Sequence, residues 1–257
     1  RITFTGESGT GKIIAAAASR HLIPVSLELG GKGANIVFDD ADLDNAVYWA
    51  IESIFRNAGQ VCLPGARVYV QAGIYDEFVR RYQSAAEAMV VGDPKDPSTQ
   101  FSAALASEEH FTKVQSYLDP AALGGGRIIT GGVGEGWSVQ PTIVVDAPSD
   151  AKVVREEVFG PVVVATKFET EEEALALANA TRYGLNAMVF TENLSRAHRL
   201  SAELRAGTVW VNCFFIRDLR APFGGVGESG LGREGGTFSR EFFTEPKAVV
   251  MQIDPAR

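Results

Sequence analysis

Short apolar strands alternate with helical stretches along almost the whole chain, and no other feature narrows its possible folds as much. Arg1 to Thr5 reads as a strand and Thr10 to Leu22 as an alanine-rich helix. Val25 to Leu29 is a second strand, stopped by the turn residues Gly30 and Gly31. Ala34 to Phe38 reads as a strand. Asp42 and Asp44 then open a helix that runs to about Arg56, their charge favouring its N-terminus. Asn57, Ala58 and Gly59 end that helix; Arg67 to Gln71 is a strand and Ile74 to Met89 a helix. Thr170-Glu-Glu-Glu173 has the form of a capping box before a helix over Ala174 to Ala180. Leu194 to Arg205 is helical, Thr208 to Asn212 is a strand, and Lys247 to Ile253 reads as a last strand. Gly124 to Gly126 and Gly131 to Gly136 read as flexible connectors. A βαβα order of this kind builds an α/β fold with a largely parallel sheet.

Composition removes several function classes. With 46% hydrophobic and 22% charged residues the chain has the make-up of a soluble globular protein, and its net charge of −8 with no basic run argues against nucleic acid. No apolar stretch reaches the length of a membrane-spanning helix. Two cysteines far apart in sequence make neither a disulfide framework nor a CxxC metal site, so no metal is expected and a cytoplasmic setting fits.

Gly6-Glu-Ser-Gly-Thr-Gly11-Lys12 comes close to a phosphate-binding P-loop, lying between a strand and a helix as that motif requires. Ile13 stands where a hydroxyl should bind magnesium, and no strand ending in paired acids follows at a suitable distance, so an ATPase is a poor reading. A glycine turn at a helix N-terminus still presents backbone N–H groups to phosphates.

Cys62, in the loop after the Asp42–Arg56 helix, and Glu28, at the end of a strand, form the other notable pair. A cysteine can act as a covalent nucleophile, and a carboxylate can activate the water that resolves the intermediate. Cys213 follows an apolar strand and reads as core; His21, His110 and His198 lie on helical text and read as surface or packing residues.

The glycine-rich text around these residues resembles the NAD(P)-dependent aldehyde dehydrogenase superfamily. The resemblance runs through FTGESGTG at Phe4 to Gly11, LELGGK at Leu27 to Lys32, DADLDNA at Asp40 to Ala46 and FRNAGQVC at Phe55 to Cys62. It continues through EEVFGPV at Glu156 to Val162, YGLNAMVFT at Tyr183 to Thr191, AGTVWVN at Ala206 to Asn212 and PFGGVGESGLGREGG at Pro222 to Gly236. Family members carry further sequence on the N-terminal side, so the resemblance makes this chain the C-terminal half of such an enzyme. It implies an aldehyde dehydrogenase-like catalytic domain over residues 30–235, the tail end of a Rossmann-like NAD-binding domain over 1–29, and an oligomerisation segment over 236–257. In the family the terminal strand pairs with a partner subunit, which implies a homodimer or homotetramer.

The resemblance also implies roles. Cys62 would attack the aldehyde and Glu28 would activate the water that hydrolyses the thioester. A second oxyanion donor of the family lies upstream of Arg1. Gly6, Glu7, Gly11 and Leu29 would border the cofactor, Glu157 would bond the nicotinamide ribose, and Phe159 would pack near the ring. Glu7 would repel a 2′-phosphate, favouring NAD over NADP. Arg217 and Arg220, in the RDLR string at the substrate entrance, resemble the subgroup acting on 2-hydroxymuconate-type semialdehydes, whose carboxylate an arginine could hold. Oxidation of another aldehyde and a non-catalytic assembly role are the alternatives.

Overall fold

The computed structural model describes residues 1–253. Its strands are β1 (Ile2–Thr5), β2 (Val25–Glu28), β3 (Ala34–Val37), β4 (Arg67–Gln71), β5 (Arg127–Val133), β6 (Val139–Val145), β7 (Val162–Phe168), β8 (Asn186–Phe190), β9 (Thr208–Val211) and β10 (Gly230–Leu231). Its helices are α1 (Ser8–Ser19), α2 (Leu43–Phe55), α3 (Tyr75–Glu87), α4 (Glu108–Ser116), α5 (Pro120–Leu123), α6 (Lys152–Arg155), α7 (Glu171–Asn179), α8 (Leu194–Glu203) and α9 (Gly236–Phe243).

The larger sheet has the order β5-β6-β7-β4-β3-β8-β9, and all its pairings are parallel except β5 with β6. Parallel strands covered on both faces lose the polar alternation of half-exposed ones, and β3 and β8 are buried along their whole length. Alternate residues still face opposite ways. Val37, Val68 and Val70 enter a core shared with Ala50, Ile54 and Phe78 of α2 and α3. Ile36, Phe38 and Tyr69 enter a second core with Ala174 of α7 and Leu200 of α8.

The smaller sheet has the order β1-β2-β10, with β2 parallel to β1 and antiparallel to β10. β2 of one sheet thus ends at Glu28 and β3 of the other begins at Ala34, and only the five residues 29–33 separate the two. Gly230 pairs with Glu28, so a late segment of the chain returns to β2, the second strand.

Several expectations change. Gly131 to Val133 is not a connector but the end of β5, with register shifts that place Gly131 at φ 84° against the Pro141 carbonyl. There a bulge, which a glycine accommodates, looks like loop text in the sequence. The capping box is half formed: Thr170 Oγ1 accepts from the Glu173 N–H, while Glu173 Oε2 accepts from Glu169 N–H rather than Thr170 N–H. Lys247 to Ile253 is not a strand and joins neither sheet; its apolar side chains find no cover, with Val250 93% and Ile253 85% exposed. No helix among the described residues is long and apolar enough to cross a membrane, and no cluster of three potential metal ligands occurs among them.

Candidate active site

A cleft of about 500 Å³ opens where the two sheets meet. One wall comes from the β1–α1 turn, with Thr5, Gly6 and Glu7, and from Leu29 and Gly30 after β2. Val61 and Cys62 line it from the loop after α2, Glu157 and Phe159 from the loop before β7, and His110 and Lys113 from α4.

Close backbone approaches hold these loops together, and the glycines of the LELGGKG string permit them. A Cβ on Gly30 would run into the Glu157 carboxylate, and one on Gly31 into the Cys62 carbonyl. Gly31 N–H donates to Glu157 Oε1 at 2.8 Å. The loop that carries Cys62 leaves α2 through three consecutive left-handed residues, Asn57, Ala58 and Gly59, with φ of 53°, 54° and 66°. Only Gly59 adopts this region without cost, and a Cβ there would strike the Gly160 carbonyl. Ser229 Oγ donates to the Gly30 carbonyl at 2.6 Å and accepts from Gly184 N–H at 2.9 Å, which ties the turn after Glu28 to the rest of the domain.

Cys62 is half-buried, and burial pushes its thiol up to about 11, with the charges of Glu157 and Glu28 adding to the rise and Arg217 opposing it. The group is therefore a thiol near neutral pH and needs a base to become a nucleophile. Glu28 is 5% exposed, and neither of its carboxylate oxygens has a hydrogen-bond partner. Burial lifts it to about 7, with Glu234 raising it further and Arg233 lowering it. A buried carboxylate left without partners is uncommon in a finished core and suits a group that handles protons or water. Burial also raises Glu157, against the pull of its Gly31 bond and of Lys113 and Lys32.

Of the residues singled out in the sequence, Gly6, Glu7, Leu29, Cys62, Glu157 and Phe159 meet in this cleft. Glu28 stands behind it, its carboxylate against Gly224. Gly11 lies outside the cleft lining: it is buried in α1, where a Cβ would collide with the Leu29 methyls, so its visible role is to seat the helix. Arg217 lies in a neighbouring hollow with Trp210 and Phe223, its guanidinium 4.9 Å from the Phe223 ring centre and 5.2 Å from that of Phe215. Arg220 also lies apart from the cleft, because Asp218 holds its guanidinium through Nε at 2.9 Å and Nη2 at 2.6 Å. Lys12 points away from the glycine turn to pair with Glu228 Oε1 at 2.8 Å, which further weakens the P-loop reading.

The sequence reading missed three residues. His110, taken as a surface or packing residue, lines the cleft, and so does Lys113 one turn on. Their spacing on one helix face was visible, but which way that face turns was not. Lys32 is buried at 2% exposure with no partner for Nζ, and burial and Arg67 pull it down to about 7.

The cleft suits a dinucleotide. The N-terminus of the twelve-residue α1 faces it, glycines keep its floor clear, and a buried carboxylate and an aromatic ring stand on the opposite wall. The sequence profile of the aldehyde dehydrogenase family matches residues 1–249. A 2-hydroxymuconic semialdehyde dehydrogenase of Pseudomonas sp. is 49% identical over 98% of this chain and 53% of its own length. A betaine aldehyde dehydrogenase of Cereibacter sphaeroides is 46% identical over 99% of the chain and 53% of its own. The NAD+ complex of an aldehyde dehydrogenase from Bacillus cereus superposes with a TM-score of 0.94 at 36% identity, over 99% of this chain and 52% of that one. The chain thus spans about half the length of the relatives it matches. With profile, relatives and fold in agreement, this chain belongs to the aldehyde dehydrogenase family.

Proposed function

We propose that this chain carries the catalytic residues of an NAD-dependent aldehyde dehydrogenase acting on a carboxylate-bearing semialdehyde of the 2-hydroxymuconate type. The observation that carries the reading is a half-buried thiol, Cys62, sharing a cleft with a helix N-terminus and electrostatically coupled to a partnerless carboxylate, Glu28.

Glu28 takes the proton of Cys62, and the sulfur adds to the aldehyde carbon. A backbone N–H beside Cys62 helps to hold the resulting oxyanion. The oxyanion collapses to a thioester as hydride leaves the former carbonyl carbon, and NAD supplies the acceptor when bound. Water, deprotonated by Glu28, then attacks the thioester, releasing the carboxylate and the thiol. Gly6, Glu7, Leu29 and the α1 N-terminus would hold the dinucleotide phosphates and ribose, with Glu157 and Phe159 at the nicotinamide end. Hydrolysis should strengthen as pH rises through about 7, where Glu28 loses its proton.

The substrate class rests on Arg217. Its charge reaches Cys62, and it stacks on two aromatic rings and pairs with no acid among the described residues, which leaves its donors for a substrate carboxylate. The same charge would repel the quaternary ammonium of a betaine-type aldehyde. Arg217→Ala should raise KM about tenfold or more for a dicarboxylic semialdehyde, the scale of one lost charge-assisted hydrogen bond, and leave a neutral aldehyde near wild type. Equal effects on both would remove the assignment. The exposed segment ending at Ile253 offers an edge to a second copy, so we assign the protein a homo-oligomeric state.

The decisive assay is NADH formation with NAD and 2-hydroxymuconate semialdehyde, run on the 257-residue chain and on a protein carrying the N-terminal half that the relatives possess. Turnover that disappears in Cys62→Ala is the expected result. Turnover that survives Cys62→Ala, or none with any aldehyde in either protein, would refute the reading.

A further inference from the structure

On the reading that the cleft takes NAD, we propose that His110 is a positioning residue that fixes the Phe159 backbone and ring, and that α4 acts as a splint along the cofactor wall. Phe159 has φ 58°, a conformation that bulky side chains rarely adopt and that persists only where its surroundings impose it. His110 Nε2 lies 2.7 Å from the Phe159 carbonyl oxygen. A carbonyl only accepts, so Nε2 carries the proton and donates. The imidazole also meets the Phe159 ring edge-on, with ring centres 5.8 Å apart.

The neighbouring contacts point the same way. Positions 110, 114 and 117 lie on one face of the helical turn, and each touches the segment before β7. Val114 closes on Gly160, where an added Cβ would come within 2.9 Å of its methyl. Tyr117 donates its hydroxyl proton to Glu156 Oε2 at 2.9 Å. Gly59, in the Cys62 loop, packs on the other side of Gly160. Glu157 and Phe159 thus sit in a segment clamped between α4 and the nucleophile loop. His110 is the clamp residue that also lines the cleft, and its ring nitrogen bonds the Phe159 carbonyl rather than Cys62 or Glu28.

Three variants separate donor from ring. His110→Gln keeps an N–H of similar reach, His110→Phe keeps an aromatic ring without a donor, and His110→Ala keeps neither. His110 is only half-buried, so the variants should fold, and circular dichroism checks this. Amide hydrogen exchange across residues 156–162 of the cofactor-free protein reads the clamp directly. Exchange should quicken in His110→Phe and His110→Ala and stay near wild type in His110→Gln. NAD affinity, read by binding fluorescence, should fall about tenfold in the two donor-less variants, with partial or full recovery in His110→Gln. Unchanged exchange in His110→Phe would overturn the clamp. Quickened exchange with unchanged NAD affinity would overturn its link to the cofactor. Failure of NAD to bind a wild-type protein that carries the N-terminal half would instead overturn the functional reading and that link with it, and the exchange pattern would still decide the clamp.

Discussion

Glu28 shows how burial of one side chain can cost stability. Its folded carboxyl sits at about 7, against an ordinary value of 4.5, because burial strips it of water. Between those values the folded state binds the extra proton, so stability falls as pH rises through the window and the loss is complete above about 7. Glu28→Gln should therefore be more stable than wild type near pH 8, by roughly 3 kcal/mol, and match it near pH 4. Thermal unfolding at both pH values is the check, and a less stable variant at the higher pH contradicts the account. The same variant should lose thioester hydrolysis. Cys62 and Glu28 could be singled out as candidates in the sequence because of the glycine-rich strings around them. His110, Lys113 and Lys32 were not, since a histidine or lysine on amphipathic text reads the same whether its face meets water, a cleft or a core.

Elements were largely legible, and their errors have local causes. α2 was read from its acids, and the structure adds the mechanism: Asp42 Oδ1 accepts from the N–H groups of Asp44 and Asn45, both at 3.1 Å. Asp42→Ala should cost about 1 kcal/mol in chemical denaturation and leave Cys62 alkylation unchanged. Gly59→Ala acts at the other end of the same helix, where φ is 66° and a backbone carbonyl blocks a Cβ. It should cost about 1–3 kcal/mol and also change the rate at which iodoacetamide labels Cys62. If the two variants behave alike, the left-handed turn does not position Cys62. β5 was half missed because its glycines serve a bulge, and β10 was missed because two residues carry no period. The α1 start at Ser8 precedes the expected Thr10, as Glu7 already stands extended before the helix.

For the molecule as a whole, the two sheets differ in support. β3 and β4 lie inside the larger sheet with a strand on either side and a core on each face, whereas β1 has only β2 beside it and half its residues exposed. Hydrogen exchange should therefore release β1 and α1 well before β3, β4 and β8. Uniform protection across both sheets would mean that they open as one unit. The sequence alone determined the α/β class and the family, and it singled out Cys62 and Glu28 as candidates, because periodicity, turn residues and local strings are written in order along the chain. Only the tertiary structure decided that Glu28 is left without partners among the described residues, that Gly11 packs under Leu29 outside the cleft lining, that Asp218 holds Arg220 while Arg217 stacks on Phe215 and Phe223, and that α4 turns His110 toward Phe159. These facts depend on desolvation and on contacts between segments as much as two hundred residues apart, such as Ser229 with Gly30. No local pattern encodes which surfaces such contacts remove from water.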